Sequence, residues 1–180
     1  IYYFYKYTFD NIQNGWQHAI AITAFDQGDE INNLESLESS TIPSLKRVFP
    51  GMKANDDFAN GDPFVYPNPY YGVAAWEGLS KNPEDKKIYF ANLPSQCQVR
   101  IYSSAGDLVD EFTHNESYTG SDIRWTSTYS DATQTKFSGG EHAWDLLSKD
   151  NQIIARGTYL FSVKDTKTGK TYKGKFALIK

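Results

Sequence analysis

The stretch Ile153-Ile154-Ala155-Arg156-Gly157-Thr158-Tyr159-Leu160-Phe161-Ser162-Val163, the polar turn Lys164 to Lys170, and Thr171-Tyr172-Lys173-Gly174-Lys175-Phe176-Ala177-Leu178-Ile179-Lys180 decide how this chain is read. Tyr159, Phe161 and Val163 alternate with Leu160 and Ser162, the period-two signature of a half-buried strand. Two such runs around a turn containing Gly169 predict a β-hairpin. A final strand also ties down a C-terminus that would otherwise fray. Just upstream, Trp144 reads as a core aromatic, and the Asp145 carboxylate as a partner for the backbone of the turn after it.

The same grammar recurs upstream. In Gln96 to Tyr102, Val99 and Ile101 share one face while Arg100 and Tyr102 take the other. Ala105-Gly106-Asp107 then turns the chain into Leu108 to Thr113, a second hairpin. The Tyr159, Phe161, Val163 face is expected to pack on Val99 and Ile101. Another strand is expected over Lys87 to Asn92. In Val65-Tyr66-Pro67-Asn68-Pro69-Tyr70-Tyr71-Gly72 the prolines rule out a central strand and favour an extended edge. Helical periodicity is nearly absent; Asn32 to Ser40 and Ala74 to Leu79 are its best candidates. The expected fold class is all-β.

Nearer the N-terminus, strands are expected over Tyr3 to Phe9 and Trp16 to Phe25. Residues 41–64 read as a linker, because Pro43, Pro50, Gly51, Gly61 and Pro63 interrupt every run. Residues 114–139 form a long, Ser/Thr-rich polar connection with one strand expected at Ile123 to Ser127.

Composition removes several function classes. A net charge of -4 and a pI near 5.4 leave no concentrated basic surface for nucleic acid. The lysines that gather late (Lys164, Lys167, Lys170, Lys173, Lys175, Lys180) read as solvated faces and edge-strand protection. The lone Cys97 excludes an internal disulfide and reads as a small buried hydrophobe. No apolar run is long enough to span a membrane. The chain opens on Ile1 in an aromatic, strand-like run, which reads as the C-terminal piece of something longer.

Five segments, in order, carry a resemblance: Tyr66-Pro67-Asn68-Pro69, Lys87 to Pro94 (KIYFANLP), Val99 to Val109 (VRIYSSAGDLV), Trp144 to Val163, and the terminal KGKFALIK. Together residues 65–180 resemble the C-terminal sorting domain of proteins exported by the type IX (Por) secretion system of Bacteroidetes. They are similar in fold to the Ig-like domain of the flagellar hook-capping protein. The resemblance implies an Ig-like β-sandwich of about seven strands. It implies export across the outer membrane, an extracellular or cell-surface location, and the secretion machinery and a sortase as partners. Residues 1–40, with NGWQHAIAITAFD and SLESS, resemble the closing strands of a fibronectin type III-like domain whose opening strands are missing. The connection from Thr113 to Gly140 is longer than the family's usual turn.

The resemblance points to Pro67, Asn68, Pro69, Gly106, Gly157, Tyr159, Lys173, Gly174, Lys175 and Lys180 as sorting or recognition positions. Gly106 and Gly157 suit sharp turns or bulges. Trp125 and Trp76 are candidate contact residues and would serve a carbohydrate-binding alternative. A structural subunit of a surface filament or complex, contacting other surface proteins, is a further alternative. Calcium is the one cofactor with candidate ligands, in the loop holding Asp26, Asp29 and Glu30, although EF-hand spacing is lacking. His18, His114 and His142 show no metal-ligand spacing; His18 is expected on a strand face, His114 and His142 in loops. No catalytic constellation is present in the sequence, and no enzyme is expected.

Overall fold

The protein is described by a computed structural model over residues 4–10, 12–13, 16–74, 86–123 and 135–179. Its strands are β1 (His18–Ile20), β2 (Lys46–Val48), β3 (Phe64–Tyr66), β4 (Ile88–Ala91), β5 (Gln96–Tyr102), β6 (Leu108–Asn115), β7 (Thr135–Lys136), β8 (Glu141–Trp144), β9 (Gly157–Asp165) and β10 (Thr171–Leu178). The only helical pieces among the described residues are short 3-10 turns at Ile42–Ser44 and Asp56–Phe58. The chain is all-β.

Two sheets face each other. One has the order β10-β9-β5-β6 and the other β3-β4-β8, and every pairing within them is antiparallel. The terminal hairpin forms in the expected register, with Phe176 opposite Tyr159 and Gly174 opposite Phe161. Val99 pairs with Val163 and Ile101 with Phe161, so the apolar faces of β5 and β9 meet the core together. Phe90 lies at its centre, its ring 5.4 Å from Phe161, 5.5 Å from Phe112 and 6.1 Å from Phe176. Such offset and edge-on contacts add to the apolar area that aromatic side chains bury.

The three-stranded sheet is covered on both faces. Ile88 and Phe90 point into the main core, while Tyr89 joins Phe49, Tyr66, Ala143 and Phe137 in a second cluster behind it. This explains why β4 reads as the unbroken apolar run Ile-Tyr-Phe-Ala, with no polar residue between. The cover comes from a third sheet in which β2 pairs antiparallel with β1 and parallel with β7. Phe49 and Phe137, the residues just after β2 and β7, stack with centroids 5.0 Å apart.

Residues 41–64 pack closely on the sandwich. The Asn55 N–H donates to the Leu93 carbonyl at 2.8 Å. Asp165 is fully buried and accepts from the backbone N–H groups of Asp57, Lys167 and Thr168, fastening the Asp56–Phe58 turn to the β9–β10 turn. Lys167 Nζ reaches both Asp56 at 3.2 Å and Ser95 Oγ at 2.6 Å.

The N-terminal expectations change. Residues 4–10 hold no strand, and the run from Trp16 to Phe25 keeps only β1. Asn32 to Ser40 is not a helix. It is the return arm of a hairpin in which Phe25 bridges Glu38 and the Asp26 N–H bonds to Leu37. Asp29, bonded to the N–H groups of Ile31 and Asn32, turns the backbone there; side chains of this kind compete with helical hydrogen bonds. Of the strand expected at Ile123 to Ser127, Ile123 is not in a strand and residues 124–127 lie outside the described residues.

Candidate recognition surface

The Pro-Asn-Pro segment and the C-terminal strand lie side by side. After β3 the chain passes through Pro67 and Pro69, both preceded by cis peptide bonds, and runs along the outer edge of β10. Asn68 Nδ2 donates to the Lys175 carbonyl at 3.3 Å, and Asn68 Oδ1 accepts from the Ala177 N–H at 3.2 Å. Tyr70 N–H donates to the Ala177 carbonyl at 2.9 Å, and its own carbonyl accepts from Ile179 N–H at 2.7 Å. Tyr70 is buried and bridges Leu178 in parallel.

Of the positions that the resemblance points to, Gly157 and Tyr159 sit beneath the same strand, opposite Leu178 and Phe176. The Tyr159 ring stacks on Phe176, and its hydroxyl donates to the Ala155 carbonyl at 2.7 Å. That return bond to the backbone just upstream is the geometry of a tyrosine corner. Gly174 faces inward, where a Cβ would stand 2.4 Å from the Phe161 ring, so only glycine lets β10 lie this close. Lys173 and Lys175 face out. Gly106 sits apart, in the β5–β6 turn at φ +95°, a backbone conformation that favours glycine. Lys180, Trp76 and Trp125 lie outside the described residues.

The outer face of the four-stranded sheet is arranged in rows. Tyr102, Leu160 and Lys175 form one row, and Arg100, Ser162 and Lys173 the next. Small Ser162 leaves a shallow open groove of about 760 Å³ bordered by Tyr102, Leu160, Lys173 and Lys175. Arg100 is neutralised by Glu111 at 3.0 Å. Lys164, Lys173 and Lys175 have no ion-pair partner among the described residues.

A buried polar seam joins the two sheets at their other margin, where β6 and β8 are the edge strands. Trp144 Nε1 donates to Asp110 at 2.7 Å. His114 and His142 approach through their Nδ1 atoms at 3.4 Å, and His114 Nε2 lies 3.0 Å from the Gly139 carbonyl. The His142 ring is stacked between Phe112 and Tyr118, with Asp122 3.4 Å from its Nε2. Burial pushes the His114 imidazole down to about 4. Burial also lowers His142, against the pull of Asp122. Both histidines therefore lie on strands, not in the expected loops. Their 28-residue separation hid the pairing; the alternation of His114 with Phe112 along β6 was the one local signal.

On the opposite face of β8, Glu141 is buried against Gly51. Its Oε1 accepts from the Tyr66 hydroxyl at 3.0 Å, and its Oε2 has no hydrogen-bond partner. Burial raises this carboxyl to about 7, with Tyr66 and the Met52 backbone opposing. Cys97 is buried, and burial lifts its thiol to about 12, so it is held as the unreactive thiol.

In the loop carrying the calcium candidates, Asp26 accepts from the N–H groups of Gly28 and Leu37, and Asp29 from those of Ile31 and Asn32. Glu30 stands beside them, exposed. Among the described residues no three His, Cys, Asp or Glu side chains are grouped to hold a metal. Among the described residues no helix is long and apolar enough to cross a membrane.

No family model matches the chain. It is 24% identical over 147 residues to the C5a peptidase of Streptococcus pyogenes serotype M3, in two strains, covering 76% of this chain and 11% of that protein. The chain thus spans about a tenth of the length of the curated relatives it matches. Among solved structures it is similar to PorZ, an essential surface component of the type IX secretion system of Porphyromonas gingivalis. The TM-score is 0.41 at 21% identity, covering 66% of this chain and 11% of PorZ. It is also similar to dimeric latent PorU of the same organism, with a TM-score of 0.38 at 18% identity, covering 91% of this chain and 12% of PorU.

Proposed function

We propose that this chain is the non-catalytic C-terminal region of a secreted or cell-surface bacterial protein, directing type IX secretion and surface attachment. In this reading residues 65–180 are the Ig-like sorting or anchoring domain, 41–64 the connecting segment, and 1–40 the end of a fibronectin type III-like domain. The outer-membrane secretion machinery and a sortase are its partners.

The observation that carries the reading is the joining of Asn68 and Tyr70 to Lys175, Ala177 and Ile179. The first and last of the five resembling segments, far apart in sequence, form one exposed ledge. The tyrosine corner at Tyr159 and the division of seven strands into sheets of four and three support the Ig-like assignment.

Deleting Lys173 to Lys180 would also remove Phe176 and Leu178 from the core, so loss of export could report misfolding alone. The sharper test substitutes Asn68→Ala with Lys173→Glu and Lys175→Glu, all exposed positions, in the native host. Retention in the periplasm of a protein that stays folded is the expected result. Normal surface display of that variant would refute a sorting role.

A second reading, as a structural subunit of a surface complex, is favoured by one observation. Phe4, Tyr5, Ile22, Phe25, Ile31 and Leu37 are all largely exposed. Soluble proteins seldom leave that much apolar surface uncovered. Concentration-dependent assembly in analytical ultracentrifugation would support it, and a strictly monomeric chain would remove it.

A further inference from the structure

We propose that the open half of the β10 edge, together with the groove beside it, is a docking site for an acidic segment that adds as an extended strand. The inference deepens the reading of the terminal hairpin as a recognition element and names the chemistry of what it recognises.

Backbone groups of β10 alternate between facing β9 and facing outward. The outward set is visible where it is occupied: Lys175 C=O, Ala177 N–H and C=O, and Ile179 N–H all bond to Asn68 or Tyr70. The same parity makes Lys173 N–H and C=O face outward, and they have no partner among the described residues. Asn68 and Tyr70 thus cap one end of the edge and leave the end around Lys173 free. An unpaired edge of this kind is a template for strand addition.

Charge then selects the occupant. Lys173 and Lys175 flank the groove, with Lys164 next to Ser162 on β9, and none is neutralised among the described residues in a chain of net charge -4. A second copy pairing edge to edge would bring Lys173 and Lys175 against their own counterparts, which like-charge repulsion disfavours. An acidic strand meets the opposite situation: the carboxylates on its outward face stand beside Lys173 and Lys175, as opposite charges on neighbouring strands favour. The lysines that keep the edge from pairing with itself are the ones that admit this partner.

The test uses the purified chain and two fluorescein-labelled peptides, one alternating Glu and Val and the other Lys and Val, followed by fluorescence anisotropy. The Glu/Val peptide should bind, weaken as salt is raised, and perturb amide resonances of residues 171–175. Lys173→Glu with Lys175→Glu should weaken it by roughly tenfold or more and turn the preference toward the Lys/Val peptide. Lys173→Pro removes an outward N–H without breaking the ladder to β9. It should abolish binding while circular dichroism stays unchanged; should it fail to fold, the charge reversal and the resonance map still decide. Equal binding of both peptides, resonance shifts centred on β6, or full binding by a folded Lys173→Pro variant would overturn the inference. A chain that binds no acidic strand yet is exported normally sinks this inference alone. One that binds the Glu/Val peptide but whose variants are displayed normally sinks the sorting reading alone.

Discussion

Trp144 of β8 donates its indole N–H to Asp110 of β6 at 2.7 Å, so a side-chain hydrogen bond ties the two sheets together at the margin of the sandwich. Trp144 is buried, and burial pushes the Asp110 carboxyl upward while the indole pulls it back. Replacing Asp110 with Ala leaves the buried indole N–H unpaired. We expect a loss of about 1–3 kcal/mol in urea unfolding followed by tryptophan fluorescence. Asp110→Asn, which keeps an acceptor, should cost less.

Gly51 and Glu141 should be coupled. A Cβ at Gly51 would collide with the Glu141 carboxylate, which is buried. Gly51→Ala should cost about 1–3 kcal/mol, as overpacking does. In the Glu141→Ala background the same change should be nearly neutral, and a double-mutant cycle by thermal unfolding measures the difference.

Two buried groups should pull stability in opposite directions over the same stretch of pH, about 4 to 7. Glu141, raised from 4.5 to about 7, binds its proton more tightly in the fold than in the open chain. Its contribution is complete below pH 4.5 and lost as pH rises through about 7, a difference on the order of 3 kcal/mol. His114, lowered from 6.5 to about 4, works in the opposite sense: its contribution is present above pH 6.5 and lost as pH falls toward 4. His142 is lowered too and acts in the same sense as His114. Glu141→Gln should leave the histidine slope unopposed, so that Tm rises with pH from about 4 to 7, and His114→Gln should shift the balance the other way, toward a Tm that falls over that window.

The clasp on the β9–β10 turn should show how burial weights an ionic contact. Asp165 is fully buried under backbone donors from Asp57, Lys167 and Thr168, which hold its carboxyl below the usual range although burial alone would raise it. Asp165→Ala strands those donors and should cost several times the roughly 1 kcal/mol of one ordinary hydrogen bond. Lys170→Ala breaks the exposed pair with Asp57 at 2.6 Å and should change stability by less than about 1 kcal/mol. Denaturant midpoints of the two variants, side by side, check the contrast.

The parts legible in the sequence were those where one strand face is wet. β5, β9 and β10 alternate cleanly because Arg100, Leu160 and Lys173 look outward while Ile101, Phe161 and Phe176 look in. The period weakens where cover lies on both sides. In β4 and β8 every residue is buried, so Glu141 and His142 could not be told from loop residues by pattern. β1, β2 and β7 are too short to carry a period, and their pairing depends on Phe49 and Phe137 meeting across 88 residues of chain. Asn68 was visible as part of Pro-Asn-Pro. Its contact with Lys175 was not, since nothing local distinguishes a turn asparagine from one that seals a sheet edge.

The parallel contact between Asn68–Tyr70 and Lys175–Ile179 also has a mechanical meaning. The strand that leads into the sandwich and the strand that leads out of it run in the same direction, side by side. Tension applied between the two ends of residues 65–179 therefore drags these strands past each other, and their hydrogen bonds are loaded together instead of one after another. A module joined in this way resists pulling in shear. That property suits a protein held to a cell by one end while its other end meets flow, neighbours or substrate.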